Sequence, residues 1–440
     1  MSKLEQQADL LMQNVMGWET STLERIGKRI KMYGKLSMAD VKSINNIAEI
    51  KSISNSTIKN LSNATGLKES EIIKVSKATL SAKEKKIVAN ELNKAVVNKE
   101  LHDITKELAK VTGYNISQIE QMYGELLEEQ HLANQPLYDY RGKTFVPFAE
   151  NRELQSIARA YAKTTGETMI NLSKTKLLCI KNKKGVTVTL QKGYTDILDK
   201  AVMQVTSGGT DFHTAMREAI VQLGGGNMRV NYEGITRRLD TVVRQNLLWG
   251  AKQASIEYNE MIGQELGCDG YEIDYHRNPR PSHAFMQGRQ FCVGKSKKIM
   301  GKMFDGMEDT VSDISGKNVT QSLQDYGCLH YKTPILCGIS EPRYSEEELS
   351  GMKKKDEREY TINGKTGNGY FWSQEMRKLE TVMREQKGIK VVAKASGNTK
   401  ELNESVSIIN ACEKKYNEIS EITGLMKETN RMTIPRNPKA

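Results

Sequence analysis

The chain has 440 residues, too many for one small module and enough for about three domains at roughly 150 residues each. Lys and Arg number 65 against 54 Asp and Glu, a net charge of +11 that suits a polyanionic neighbour without identifying one. No run approaches the roughly 18 consecutive apolar residues that span a bilayer, and six cysteines are too sparse for a disulfide scaffold, so neither an integral helical membrane protein nor a cystine-stapled module is expected.

Ser2 to Asp9 is too polar to open a signal-peptide core, which predicts synthesis in a cytosol with reduced thiols. Residues 1–133 read as a helical N-terminal arm, with Leu10, Leu11, Val15 and Trp18 placed as one apolar stripe and Ser37 with Asp40 as a capping box. Leu61 to Ile72 and Leu108 to Ile119 echo each other 47 residues apart, and Gly66, Gly113, Gly166 and Gly424, each after Thr, fit left-handed helix ends. Two copies at one spacing read as reused turn chemistry, not as a solenoid.

Asn134 to Pro147 (NQPLYDYRGKTFVP) breaks helical periodicity and is read as a linker or extended segment opening a central, mainly helical domain over 134–266. Within it, Val186 to Leu190 alternates as a small hairpin, and Thr210 with Asp211 caps a helix that ends at Gly224, Gly225 and Gly226. That glycine triplet follows a helix and lacks either phosphate-loop pattern. A long helix is predicted from Ile235 to about Leu266, with Leu239, Val243, Leu247 and Ala251 at i+4 steps.

Residues 267–350 form the informative stretch. Three of the six histidines and three of the six cysteines fall between His276 and Cys337. Tyr271 to His276 reads as a strand, Asn278 to Pro281 as a proline-pinned turn, and Gln287 to Phe291 as a second strand. A polar loop then leads to Gly327, Cys328, Leu329 and His330, and Ser345 with Glu348 caps the next helix. His276, His283, Cys328 and His330 are borderline-soft groups that separate loops can bring to tetrahedral zinc distance. Two other readings stay open: side chains that hydrogen-bond buried loop backbone, and a Cys/His nucleophilic pair without an identified orienting group. Residues 351–440 read as a helical tail with a hairpin at Tyr360 to Tyr370 and a basic end from Ile434 to Ala440. The fold class expected is mainly α with a small α+β part, its short strands and hairpins around residues 271–340.

The pattern His276, Arg280, Pro281, His283, Ala284, Gln287, Gly288 and Phe291 resembles the phage minor capsid protein 2 family, related to the Mu-type F head-morphogenesis proteins. A second signature of that family corresponds to Cys328, His330, Pro334, Gly338, Ile339 and Ser340, and the likeness extends over roughly residues 135 to 385. Pro279, Met286, Gly327 and Leu329 stand where the family usually has Ala, Trp, Asn and Arg. The resemblance implies a non-enzymatic structural protein of a tailed bacteriophage head, made in the bacterial cytoplasm and built into the virion in few copies beside the portal. The partners implied are portal protein and major capsid or scaffold protein, with packaged double-stranded DNA contacted non-specifically and no membrane. No catalytic residue and no cofactor is expected, zinc at the cluster being the open question. The alternative is a metal-dependent hydrolase or nuclease built on His276, His283, Cys328 and His330, with Asp274 as a nearby carboxylate base.

Overall fold

A computed structural model describes residues 3–33, 116–172, 178–181, 186–189, 229–232 and 235–432 apart from 329, with isolated positions between 55 and 221. The fold is mainly α with small antiparallel sheets, as the sequence predicts. The Ser37 capping box, the 47-residue echo, the Ser207 to Gly226 segment and the basic end lie wholly or largely outside the described residues.

Helix α1 (Lys3–Tyr33) buries Leu4, Ala8, Leu11, Val15 and Trp18 at i+3 and i+4 steps. Leu10, expected on that stripe, is 51% exposed because it precedes Leu11 by one residue and so turns away by about 100°. Helices α2 (Ile116–Ala133), α3 (Gln135–Arg141) and α4 (Arg152–Leu172) follow. The segment expected to be a linker is therefore part helix. Asn134 stands at its N-cap with Pro136 at the start of α3, where a missing N–H costs nothing, and Gly142 closes it at φ 60°. Beyond it the chain is extended and lays Phe145 on the His131 ring at 4.4 Å. Gly166 ends nothing. It sits inside α4, where an added Cβ would come within 2.7 Å of Ile116 Cγ1.

Strands β1 (Leu178–Lys181), β2 (Thr187–Thr189), β3 (Arg229–Tyr232) and β4 (Ile235–Arg238) make an antiparallel sheet in the order β2-β1-β3-β4. The hairpin expected near Val186 is the β1/β2 pair, with Ile180 opposite Val188. The long helix begins four residues later than its i+4 pattern suggests, as α5 (Leu239–Glu265), because β-branched Ile235 and Thr236 pair with Tyr232 and Asn231 across a hairpin. Helix α5 is the central spine, touching α1, α2, α4, β3 and β4.

Strands β5 (Gly270–Ile273), β6 (Gln290–Cys292) and β9 (Lys332–Ile335) form a three-stranded sheet in the order β6-β5-β9. Pro334 is tolerated in β9 because that strand is an edge. The stretch expected as a polar loop holds more order: a hairpin of β7 (Lys297–Ile299) and β8 (Lys302–Phe304), and α6 (Val319–Leu323) with an Asn318/Gln321 capping box. One face of the sheet places Ile273 and Phe291 with Met286, Val319, Leu323 and Cys328, and the other places Cys292 and Ile335 with Phe304 and Cys337.

The predicted Ser345/Glu348 capping box opens α7 (Glu346–Glu357). Asn363 and Gly364, both at positive φ, turn the hairpin of β10 (Tyr360–Ile362) and β11 (Lys365–Gly367) as expected. Helices α8 (Gly369–Ser396) and α9 (Thr399–Thr423) pack lengthwise, and α1 lies against α8. Gly424, at φ 70°, ends α9 as predicted. The main core joins α1, α2, α4 and α5 to Ile389, Val392 and Ala393 of α8.

Two glycines separate close approach from mere permissiveness. At Gly250 in α5 a Cβ would lie 2.1 Å from Thr165 Oγ1 and 2.4 Å from Tyr123 Oη, breaking the buried bridge in which Tyr123 donates to Leu247 O at 2.9 Å. Gly351 in α7 has open space around it. Gly250→Ala should cost about 2 kcal/mol by overpacking, and Gly351→Ala should add about 0.5 kcal/mol by restricting the unfolded chain. Urea denaturation of both variants measures the contrast.

Candidate functional site

The motif residues gather where the three-stranded sheet meets α5, and local chemistry explains most of them. Pro281 opens the 3₁₀ turn Pro281–His283, and His283 N–H donates to Arg280 O at 2.8 Å, which turns the imidazole inward to 2% exposure. Gly288 needs its φ of 65°, and a Cβ there would meet Leu349 Cδ2 at 2.3 Å. Gly327 is also left-handed, a conformation that Asn shares most readily with Gly. Met286 is fully buried, filling the sheet core where a tryptophan is usual in the resembled family. Leu329 lies outside the described residues. Ser340 Oγ accepts from Leu336 N–H at 3.0 Å, tying the Cys337 to Ser340 turn to the end of β9.

Three of the four residues predicted as ligands converge. His283, Cys328 and His330 are buried and place one ligand atom each within 4.8 Å of the others. Cys328 Sγ and His330 Nδ1 are 3.5 Å apart. His276, the fourth, is 38% exposed and joins Asp274 through Nε2 at 3.1 Å, its ring edge-on to His330 at 4.9 Å. The Asp274 carboxylate also accepts the Tyr331 backbone N–H at 2.8 Å.

The protonation pattern follows from what faces each ring. Gln287 Oε1 accepts the His276 backbone N–H at 2.9 Å, which identifies that atom as the oxygen. His330 Nε2, 3.0 Å from the same oxygen, therefore carries a proton, and Nδ1 is the ring nitrogen that faces Cys328. His283 Nε2 lies 3.2 Å from Asp325 Oδ2, an acceptor, so it too donates outward. Burial pushes the Cys328 thiol up, but hydrogen bonds from His283 and His330 and the nearby Lys252 charge outweigh it and bring the group down to about 5.

Sequence reasoning missed Lys252 and Asp325. Lys252 lies on α5 at 2% exposure and donates to Leu323 O at 2.6 Å and to Cys328 O at 3.1 Å. Its signal, a lysine on the apolar face of a helix between Leu248 and Ser255, was present in the sequence. Asp325 stands in a polar turn with nothing local to mark it.

Cys328 also borders a cavity of about 570 Å³ lined by Arg229, Arg237, Arg238, Arg244, Arg280, Arg377, Arg384 and Arg431, against one acidic lining residue, Glu380. Beneath it the buried Asp240 carboxylate binds Arg238 Nε at 3.1 Å and Arg384 Nη1 at 3.0 Å. Burial would raise the Asp240 pKa, yet these two guanidiniums hold it below the usual carboxylate range. Arg244 pairs with Asp9 and Arg229 with Glu385. Arg237 instead meets the Gln245 amide and the Tyr326 ring, and Arg237, Arg280 and Arg377 have no carboxylate at ion-pair distance among the described residues. The convergence of Arg237, Arg238 and Arg244 with Arg377 and Arg431 required the fold.

Removing Gln287 should expose how far the cluster depends on it. Gln287→Leu keeps the bulk but strips the acceptor from buried His330 and from the His276 N–H, and should cost about 2 kcal/mol, measured by chemical denaturation against the wild type.

Among the described residues no helix is long and apolar enough to cross a membrane. No curated protein and no solved structure matches the chain. The family model for phage minor capsid protein 2 matches residues 92–419, a span that contains the three-stranded sheet, the His/Cys cluster and most of the residues lining the arginine-rich cavity. The chain belongs to the phage minor capsid protein 2 family and is a structural protein of the phage head.

Proposed function

We propose that this head protein acts in morphogenesis of the tailed-phage head beside the portal, held there by portal protein and major capsid or scaffold protein, and contacts packaged double-stranded DNA through phosphate charge alone. The family match supports the head assignment. The observation that carries the DNA contact is the arginine-lined cavity, where Arg237, Arg280 and Arg377 have no carboxylate at ion-pair distance among the described residues. Guanidiniums match phosphate geometry and release counterions on binding, while the absence of a base-reading motif in the sequence fits contact without sequence preference.

A hydrolase built on His283, Cys328 and His330 needs a substrate to reach atoms that are 2% to 4% exposed, so burial favours the architectural reading.

Mass spectrometry of gradient-purified particles should find the chain at a low, fixed ratio to the major capsid protein, and absence from both procapsids and mature heads contradicts the proposal. Fluorescence anisotropy with random-sequence duplex DNA tests the contact. Each of Arg237→Ala, Arg280→Ala and Arg377→Ala should weaken binding uniformly across sequences and flatten the slope of log affinity against log salt by about 1.

A further inference from the structure

We propose that His283, Cys328 and His330 bind one zinc ion, which fastens the loop after β5 to the loop before β9. The three residues are buried and each offers one ligand atom within 4.8 Å of the other two. Both imidazoles have an outward partner at Nε2, Gln287 for His330 and Asp325 for His283. A divalent cation satisfies all three at once.

The spacing agrees with this. With Zn–S near 2.3 Å and Zn–N near 2.0 to 2.1 Å, two ligands of a tetrahedral ion lie roughly 3.5 Å apart, and Cys328 Sγ stands 3.5 Å from His330 Nδ1. The surroundings are those that orient metal-bound histidines, a carboxylate on one and an amide carbonyl on the other. The Gln287 oxygen is itself fixed by the His276 N–H, so the His330 ring is held before any ion arrives. Soft sulfur with two imidazoles selects zinc over magnesium or calcium, which take oxygen ligands.

The test is metal content of the untagged full-length chain, purified without chelator and measured by inductively coupled plasma mass spectrometry. Close to one zinc per chain is expected, falling at least tenfold in Cys328→Ser and in His330→Ala, with His276→Ala unchanged because His276 stands outside the group. Replacement by Co²⁺ should give a thiolate-to-cobalt charge-transfer band that Cys328→Ser abolishes. Should those variants fail to fold, the wild type still decides: dipicolinate should remove the zinc and lower the melting temperature, and ZnCl₂ should restore it. A folded wild-type chain that carries no zinc and takes none from a chromophoric chelator at micromolar ZnCl₂ overturns the proposal.

Discussion

The arrangement around the motif depends on one buried ammonium. Lys252 sits on the central helix at 2% exposure, and taking its charge out of water costs several kcal/mol unless acceptors bind it. Two carbonyls do this, those of Leu323 and Cys328, which cap the end of α6 and begin the segment leading into β9. Burial drives the Lys252 ammonium toward losing its proton, while Cys328, Asp274 and Asp325 favour keeping it. The helix spine and the small sheet are thus joined by a polar contact that has a single geometry, unlike an apolar face that could slide. Cys328 is placed by the same contact, because its carbonyl is one of the two acceptors.

A second polar layer sits on the other side of the cavity. Crowding eight arginines around one space is stable only if counter-charge lies beneath them, and Asp240 supplies it at the first turn of α5, where the helix N-terminus also favours an anion. Arg384 from α8 and Arg238 from β4 meet on that carboxylate, with Glu19 of α1 3.6 Å from Arg238. The network therefore joins three helices and a sheet. The charge it leaves uncompensated lines the cavity, and the proposed DNA contact rests on that surplus.

Much of this was legible in the sequence, and the misses have physical causes. The hairpins at Asn363-Gly364 and near Val186, the Ser345 capping box and the end of α9 at Gly424 were readable because each depends on residues within a turn of one another. The true start of α5 was hidden because Ile235 and Thr236 fit an i+4 helix pattern as well as a strand, and only the pairing with β3 decides. Gly166 looked like a helix end, whereas its role is contact with Ile116, fifty residues away. In the cluster, His283, Cys328 and His330 stood out by type and spacing, but His276 was counted with them because sequence distance carries no direction. Lys252 and Asp325 act through partners 76 and 42 residues away, and no local pattern records such a contact.

The central claim is that the motif holds architecture, anchored by Lys252. Its most direct test is hydrogen–deuterium exchange on Lys252→Met, which keeps the side-chain length and removes the charge. Amides from residues 320 to 335 should lose protection at least tenfold while those of α8 and α9 stay protected, because only the first set hangs on the two carbonyls. Unchanged protection over residues 320 to 335 would contradict the account.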